Sequence, residues 1–378
     1  MKKRSLGASI QSWISILFGL RPTNLSAGVK ILGFGATLLL ALVGSFWAWG
    51  VFSIPVPGTD IVFDGSISSS EPAFWIQVFL ALGALACFII AIFLFVAHHR
   101  SQSSKRIVCI EHLSYETSQI RGILKDLPAQ YSGVREEMVL IDGRNKSPQG
   151  HLRILEAKMS EAKDKIAHGS GPNNYLPMYG GIAAVPMVVL AGFEWGNQNK
   201  IHIRDYDRSS GVWHDNEEPD NGILLQSKQL PETPQSDTEA GLCLEFSIPM
   251  DRPDMSVKFP NIPMFSVNFS NGKVGLDQLC SEHKQQRLIK AVVDYMNTLV
   301  KRFPHLEVLH LFITAQSSFV FRVGQALHQS HIPSVWIHHY DRSQPLGSRH
   351  TWCLQISGSG KYEILRSNNR YIRPSLNR

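Results

Sequence analysis

Charge is absent from two long stretches of this chain, and that absence organises everything else. No Asp, Glu, Lys or Arg occurs from Ile31 to Val51 or from Ala73 to Ala97. At about 1.5 Å of rise per residue, each stretch reaches roughly 30 Å as a helix, enough to cross the hydrocarbon of a bilayer. A helix is required there because lipid offers no partner for backbone amides. The first stretch is too long for a signal-peptide core, and no cleavage site precedes the second. Two membrane spans are therefore expected.

Basic residues are absent from the connecting segment, Ser53 to Pro72, which carries Asp60, Asp64 and Glu71. Lys2, Lys3, Arg4, Arg21 and Lys30 precede the first span, and Arg100, Lys105 and Arg106 follow the second. Short loops rich in Lys and Arg stay in the cytoplasm, so both termini belong there and only the connection lies outside. Trp47, Trp49 and Trp75 fall at the outer interface, where amphipathic rings settle. Leu6, Ile10, Trp13, Ile14 and Leu17 recur at helical spacing, which suits either a helix lying in the inner interface or a partly ordered tail. Gly83, Cys87 and Ala91 form a small-residue stripe suited to close helix packing, against the first span or another subunit.

Closely spaced cysteines are lacking too. Cys87, Cys109, Cys243, Cys280 and Cys353 lie far apart, which speaks against a zinc site or a disulfide framework and for buried thiols in a reducing cytoplasm. No Walker A loop, nucleophile elbow or clustered set of carboxylates occurs, so neither a catalytic group nor a metal is expected. His98 and His99 sit at the membrane exit, and His338 and His339 alternate across a strand, with rings on opposite faces. The net charge of +6 is too modest to point to a DNA or RNA polymer.

Beyond Gln102 the pattern is that of an α/β domain. Ile107–Ile110 and Glu137–Asp142 predict short buried strands, His151–His168 a helix, and Lys200–Tyr206 a strand; Tyr179–Phe193 predicts a core helix running into a turn. A polar stretch, 216–240, has the composition of a linker. Alternation then resumes: a strand over Leu242–Ile248, a helix over Cys280–Phe303, a strand over Val308–Ile313, a helix over Ser317–Gln329 and a strand over Ser334–Tyr340. Strand–helix–strand order predicts parallel sheets covered by helices. Ile201-His-Ile-Arg-Asp-Tyr-Asp-Arg208 resembles Val335-Trp-Ile-His-His-Tyr-Asp-Arg342, with Trp213 and Trp352 a few residues beyond, so a duplicated Rossmann-like unit is expected. The divisions are then 1–30 as a cytoplasmic N-terminal segment, 31–97 as the hairpin, 101–215 and 241–378 as two halves, and 216–240 between them.

Three segments carry a family resemblance: His310-Leu-Phe-Ile-Thr-Ala-Gln-Ser-Ser318, Gly324-Gln-Ala-Leu327 and Trp336-Ile-His-His-Tyr-Asp-Arg342. Together they resemble the second half of a SAVED domain. Tyr179-Gly-Gly-Ile-Ala-Ala-Val-Pro186 with Gly192 is similar to its first half. Gln316 departs from the Pro expected there. The resemblance implies two fused CARF-like halves acting as a receptor for a cyclic di- or trinucleotide in CBASS, a bacterial anti-phage system. It further implies a CD-NTase partner that makes the messenger, homo-oligomerisation on binding, and permeabilisation of the inner membrane by the clustered hairpins. A membrane-tethered Rossmann-like enzyme and a scaffold without a small-molecule ligand are the alternatives.

Ligands of parallel α/β sheets sit beyond the carboxyl ends of the strands, where helix N-termini present free N–H groups to anions. Those ends are His112–Tyr115, Met178–Gly181, Pro249–Arg252 and Ala315–Ser318. The expected ligand-binding residues are Tyr179, Gly180, Gly181, Ala315, Gln316, Ser317, Ser318 and Phe319, together with Arg208 and Arg342. The glycines admit close backbone approach, the serines offer donors, Tyr179 or Phe319 offers a stacking face, and the arginines offer planar fixed charge. Each has a plainer role as well: a turn, a helix cap or core packing.

Overall fold

The computed structural model describes residues 24–47, 52–55, 62–65, 71–103, 106–116, 122–127, 131, 134–167, 175–197, 200–229, 238–276, 278–329 and 332–366. The chain divides into two compact units, Met1–Lys105 and Arg106–Arg378.

In the first unit, helix α1 (Asn24–Trp47) and helix α2 (Glu71–Ser103) flank a small hairpin of β1 (Phe52–Pro55) and β2 (Val62–Gly65). Val78–Val96 is long and apolar enough to cross a membrane, and the described apolar run of α1 is Val29–Leu40. A Cβ on Gly35 would stand 3.0 Å from that of Cys87, so glycine sets how closely the helices meet. Ala84, Ala91 and Leu94 are buried, whereas Phe79, Leu82, Leu85, Ile89 and Phe93 are exposed. Apolar side chains turned outward from a long helix suit lipid rather than water. Most of the 1–30 segment and Trp49 lie outside the described residues.

The second unit contains two sheets. The first comprises β3 (Arg106–Leu113), β4 (Arg135–Asp142), β5 (Tyr175–Ile182), β6 (His202–Asp207) and β7 (Val212–Asp215) in the order β4-β3-β5-β6-β7. All neighbours are parallel except β6 and β7. Helix α3 (Pro148–Ala167) connects β4 to β5, and α4 (Val185–Trp195) connects β5 to β6. The second sheet repeats this plan. It comprises β8 (Leu225–Gln229), β9 (Glu239–Glu245), β10 (Met264–Phe269), β11 (Val308–Thr314), β12 (Ser334–Tyr340), β13 (His350–Ser357) and β14 (Tyr362–Arg366), in the order β14-β13-β12-β11-β9-β10-β8. Its helices are α5 (Arg252–Lys258), α6 (Glu282–Arg302) and α7 (Ser317–Ala326). The expected Ser334–Tyr340 strand is found as stated.

Two expectations change. Tyr179–Phe193 is not one helix but the end of a central strand, a short turn and a separate helix. The apolar run Met178–Ile182 is buried in the middle of a sheet, and Pro186, lacking an N–H, fits the first turn of α4. The stretch expected as a linker contains a strand, β8, which pairs antiparallel with β10 from Leu225↔Phe269 to Gln229↔Phe265. Leu225-Gln-Ser-Lys-Gln229 shows no alternating apolar pattern because it is an edge strand facing solvent. Asp220, in the same stretch, is clamped by Arg287 of α6 at 2.7 Å. Residues 230–237 lie outside the described set.

The two halves share one apolar core, with α4 and α7 packed against each other. A Cβ on Gly192 would collide with the carbonyl oxygen of Phe321, and one on Gly324 with that of Val189. The contact is reciprocal: Gly192 and Val189 of α4 answer Gly324 and Phe321 of α7 about a local twofold axis. Phe321 lies over Tyr179, with ring centroids 4.3 Å apart, so each sheet is covered in part by the other half's helix.

Candidate functional site

The carboxyl ends of β3, β5 and β6 and of β9, β11 and β12 meet where the halves join. At the first sheet a buried polar chain closes the strand ends. His112 Nδ1 lies 2.8 Å from the Tyr179 hydroxyl, and His112 Nε2 lies 2.8 Å from His151 Nε2. His151 Nδ1 is 3.4 Å from Ser114 Oγ, which accepts the Ala184 amide at 3.1 Å just before α4. Gly143 lets the His151 ring in, since any Cβ there would overlap it. Burial drives both imidazoles toward the neutral form: His112 falls well below its ordinary value, and His151 falls to about 4. Burial, followed by the nearby Asp205 charge, raises the Tyr179 phenol.

Tyr179 and Phe319, expected as stacking faces, are both fully buried. Phe319 packs against Phe246 with centroids 5.0 Å apart. Gly180 and Gly181 lie within β5 and not at a helix N-terminus. Gly180 leaves room for Ile123 and Trp213, and Gly181 for the Tyr179 ring. Their small size is used for internal packing.

At the second sheet, Gln316 precedes α7, and its side-chain oxygen accepts the Leu279 amide at 2.6 Å. Ala315 and Ser317 are half-buried, and Ser317 Oγ itself is enclosed. Ser318 is fully buried: its amide donates to Asp205 Oδ1 at 2.8 Å and its hydroxyl donates to Asp205 Oδ2. Asp205 comes from β6 of the other half. The Pro249–Arg252 segment is tied down by Glu245, which accepts the Met250 amide at 2.8 Å and pairs with Arg252 and with the Ser266 hydroxyl.

The arginines near these strand ends are sorted by their partners. Arg144 pairs with Asp142, Arg252 with Glu245 and Arg349 with Asp251. Arg208 and Arg342 are exposed and form no ion pair with a described residue. Both stand in the sequence Tyr-Asp-Arg-Ser, and the structure shows why that sequence holds the arginine outward. Asp207 accepts the Ser209 amide at 2.8 Å and both the Ser209 and Ser210 hydroxyls at 2.6 Å. Asp341 accepts the Ser343 amide at 3.0 Å, its hydroxyl at 2.7 Å and the Gln344 amide group at 3.0 Å. In each turn the aspartate's oxygens are taken up locally by hydrogen bonds, so it makes no direct ion pair with the adjacent arginine. Those hydrogen bonds also hold the Asp207 and Asp341 carboxyls below the usual carboxylate range.

Tyr115 lies just beyond β3. Burial raises its phenol, Arg208 lowers it and Asp341 raises it, so both turns lie within electrostatic reach of one ring. Tyr115 is 42% exposed, unlike Tyr179 and Phe319. The sequence offered a signal for it, since His112–Tyr115 was one of the strand ends, but nothing there ranked this ring above the two buried ones. Among the described residues, no group of three or more His, Cys, Asp or Glu is placed to hold a metal ion.

Two family models match the chain: the SMODS-associated and fused to various effectors sensor domain over residues 155–356, and the SAVED-fused 2TM effector domain over residues 3–156. No curated protein matches it. Among solved structures, the chain is similar to the Cap4 SAVED/CARF-domain containing receptor of Acinetobacter baumannii with the cyclic trinucleotide 2'3'3'-cAAA. Identity is 15% and the TM-score 0.43, over 72% of this chain and 59% of that one. The same receptor with 3'3'3'-cAAA gives 15% and 0.42, over 72% and 58%. The Cap4 receptor of Moraxella osloensis gives 12% and 0.36, over 78% and 59%. The chain thus spans less than two thirds of the length of these receptors.

Proposed function

The chain belongs to the SAVED sensor-domain family, joined here to a two-transmembrane effector domain, and on that premise we propose that it is a ligand-gated membrane effector of a CBASS system. The ligand is a cyclic di- or trinucleotide made by a partner CD-NTase. It binds where the carboxyl ends of the two sheets meet, the chains assemble, and the gathered hairpins open the bacterial inner membrane. Both termini face the cytoplasm, so sensor and messenger share a compartment.

One observation carries this reading: each half ends a corresponding strand in a Tyr-Asp-Arg-Ser turn that leaves its arginine, Arg208 or Arg342, exposed with no ion pair to a described residue, and exposed Tyr115 feels the charges of Arg208 and Asp341 from the two turns. Planar guanidinium groups suit phosphodiester oxygens, and a tyrosine face suits a base. A cyclic oligonucleotide presents both chemistries around one ring. Ser317 and the Ala315–Gln316 loop border the same strand ends and are candidate ribose contacts. Tyr179, Gly180, Gly181, Ser318 and Phe319 act beneath that surface and support it without touching the ligand.

No catalytic step is needed, because binding energy alone can drive assembly when the assembled state binds the ligand better. The test uses the full chain in dye-loaded liposomes of anionic phospholipid, challenged with cyclic dinucleotides and trinucleotides. At least one should cause leakage and a rise in assembly size by crosslinking. Sealed vesicles and dispersed chains at saturating concentrations of every member of the set would defeat the proposal.

A further inference from the structure

The N-termini of α7 and of its counterpart α4 are closed in the structure, each by a different device. The α7 end is filled by Asp205, whose carboxylate takes the Ser318 amide and hydroxyl. Asp205 is 3% exposed and Ser318 is fully buried, so solvent does not reach this contact. Behind it, Gln285 Nε2 donates to Ser318 Oγ at 2.7 Å, Arg322 Nε donates to Gln285 Oε1 at 3.0 Å, and Arg322 Nη2 donates to Glu282 at 2.9 Å. The cluster runs from β6 of one half through α7 to α6 of the other.

The equivalent place in the second sheet is identified by register. Ile182 and Thr314 end corresponding strands, each accepting the amide of the residue that follows the neighbouring strand: Ser114 in one half, Phe246 in the other. Ile203 lies opposite Tyr179, and Ile337 lies opposite Leu311. Asp205 therefore corresponds to His339, and Ser318 to Pro186. His339 stacks on Trp352 with centroids 4.9 Å apart, Pro186 has no N–H to offer, and the Ala184 amide is taken by Ser114. One half thus supplies an internal anion at a helix pole, and the other supplies neither the anion nor the donor.

We propose that Asp205 is a specificity-determining residue: it fills the anion pole of α7 with the chain's own carboxylate, excludes a ligand phosphate from it, and leaves the messenger's charge to the turn arginines. The inference rests on the seam of the two sheets being the nucleotide site. The physical ground is that a carboxylate near a helix N-terminus gains from the aligned peptide dipoles and from charge-assisted hydrogen bonds. A phosphate that displaced it would strand a buried charge.

The test uses the full chain in detergent micelles. Asp205→Asn keeps a carbonyl for the Ser318 amide and reverses the second bond, its NH2 donating to Ser318 Oγ, so the contact is kept while the charge is removed. With 3'3'3'-cAAA and cyclic diadenylate as probes in calorimetry, loss of a like charge beside the site should raise affinity about fivefold. Hydrogen exchange supplies a second readout. Amides 318–322 should exchange slowly and alike with and without nucleotide, while the Arg208 and Arg342 turns become protected. Unchanged or weaker binding by Asp205→Asn, or a ligand-dependent change in 318–322, overturns the inference. If the unsubstituted chain binds neither probe, the nucleotide reading fails for these ligands. The seal is then judged alone: exchange at the Ser318 amide should accelerate about tenfold or more in Asp205→Ala, and equal rates refute it.

Discussion

The two halves of the sensor have the same strand order and the same Tyr-Asp-Arg-Ser turn, yet their buried polar groups have diverged. The first half closes its strand ends with Tyr179, His112, His151 and Ser114, each within hydrogen-bonding range of the next. The second buries His310, His338 and His350 among Phe259 and Phe312, and both ring nitrogens of His350 lack a hydrogen-bond partner. What the halves keep in common is the helix crossing and the exposed arginines, which a symmetric surface needs. Where they differ is beneath that surface. A duplicated unit is constrained where the copies meet and is free to diverge within each core.

The most severe break in this comparison comes at the shared crossing. Gly192→Val and Gly324→Val should each cost several kcal/mol, on the order of 3 or more, because a side chain would meet backbone and the helices must separate. Thermal melts of the full chain in detergent should show similar losses for the two variants, as the reciprocal contact requires. A loss at one glycine and none at the other would show that the local twofold is not energetically real.

Next in size are the exposed turns. Arg208→Gln and Arg342→Gln should each weaken nucleotide binding by about 1.5–3 kcal/mol while leaving the melting temperature unchanged, since neither arginine forms an ion pair with a described residue. Tyr115→Ala should cost about 1–3 kcal/mol of binding, and Tyr115→Phe should restore most of it. Calorimetry against the nucleotide that triggers leakage measures all four. If only one arginine matters, the ligand engages one half.

The smallest effect separates the buried histidines. Burial lowers His151 and His350 to about 4 from an ordinary value near 6.5. Between those values the unfolded chain binds more protons than the folded one, so stability is full above about pH 6.5 and falls as the pH drops toward 4. His350→Leu, among Phe259 and Phe312 with the buried Asp254 carboxylate 3.7 Å away but no hydrogen bond to it, should remove part of that acid sensitivity, at a cost near neutral pH set by how well Asp254 tolerates losing its neighbour. His151→Leu should remove its share too, but it breaks the chain to His112 and Ser114 and lowers the melting temperature at every pH. Melting curves from pH 4 to 8 compare the two, and identical behaviour would erase the distinction.

Much of this was legible in the chain itself. The uncharged runs, the basic flanks and the alternation of strands and helices led to the hairpin and the α/β class, and the doubled Tyr-Asp-Arg sequence marked two turns that expose Arg208 and Arg342. Tyr179 and Phe319, expected as stacking faces, turn out fully buried, because position along a strand does not say which way a ring turns. β8 went unseen because a polar edge strand gains its hydrogen bonds from a neighbour distant in sequence.

Composition and order of residues determined which segments can leave water for lipid, which strands alternate with helices, and that one unit occurs twice. These depend on local hydrophobicity and on spacing, which a linear chain carries in full. Only the tertiary structure decided that Asp205 reaches the start of a helix in the other half, that two glycines each face a carbonyl of the opposite helix, and that the Tyr179 and Phe319 rings turn inward. Such contacts join residues far apart in sequence, and their energy exists only once packing has brought the partners together and removed the water between them.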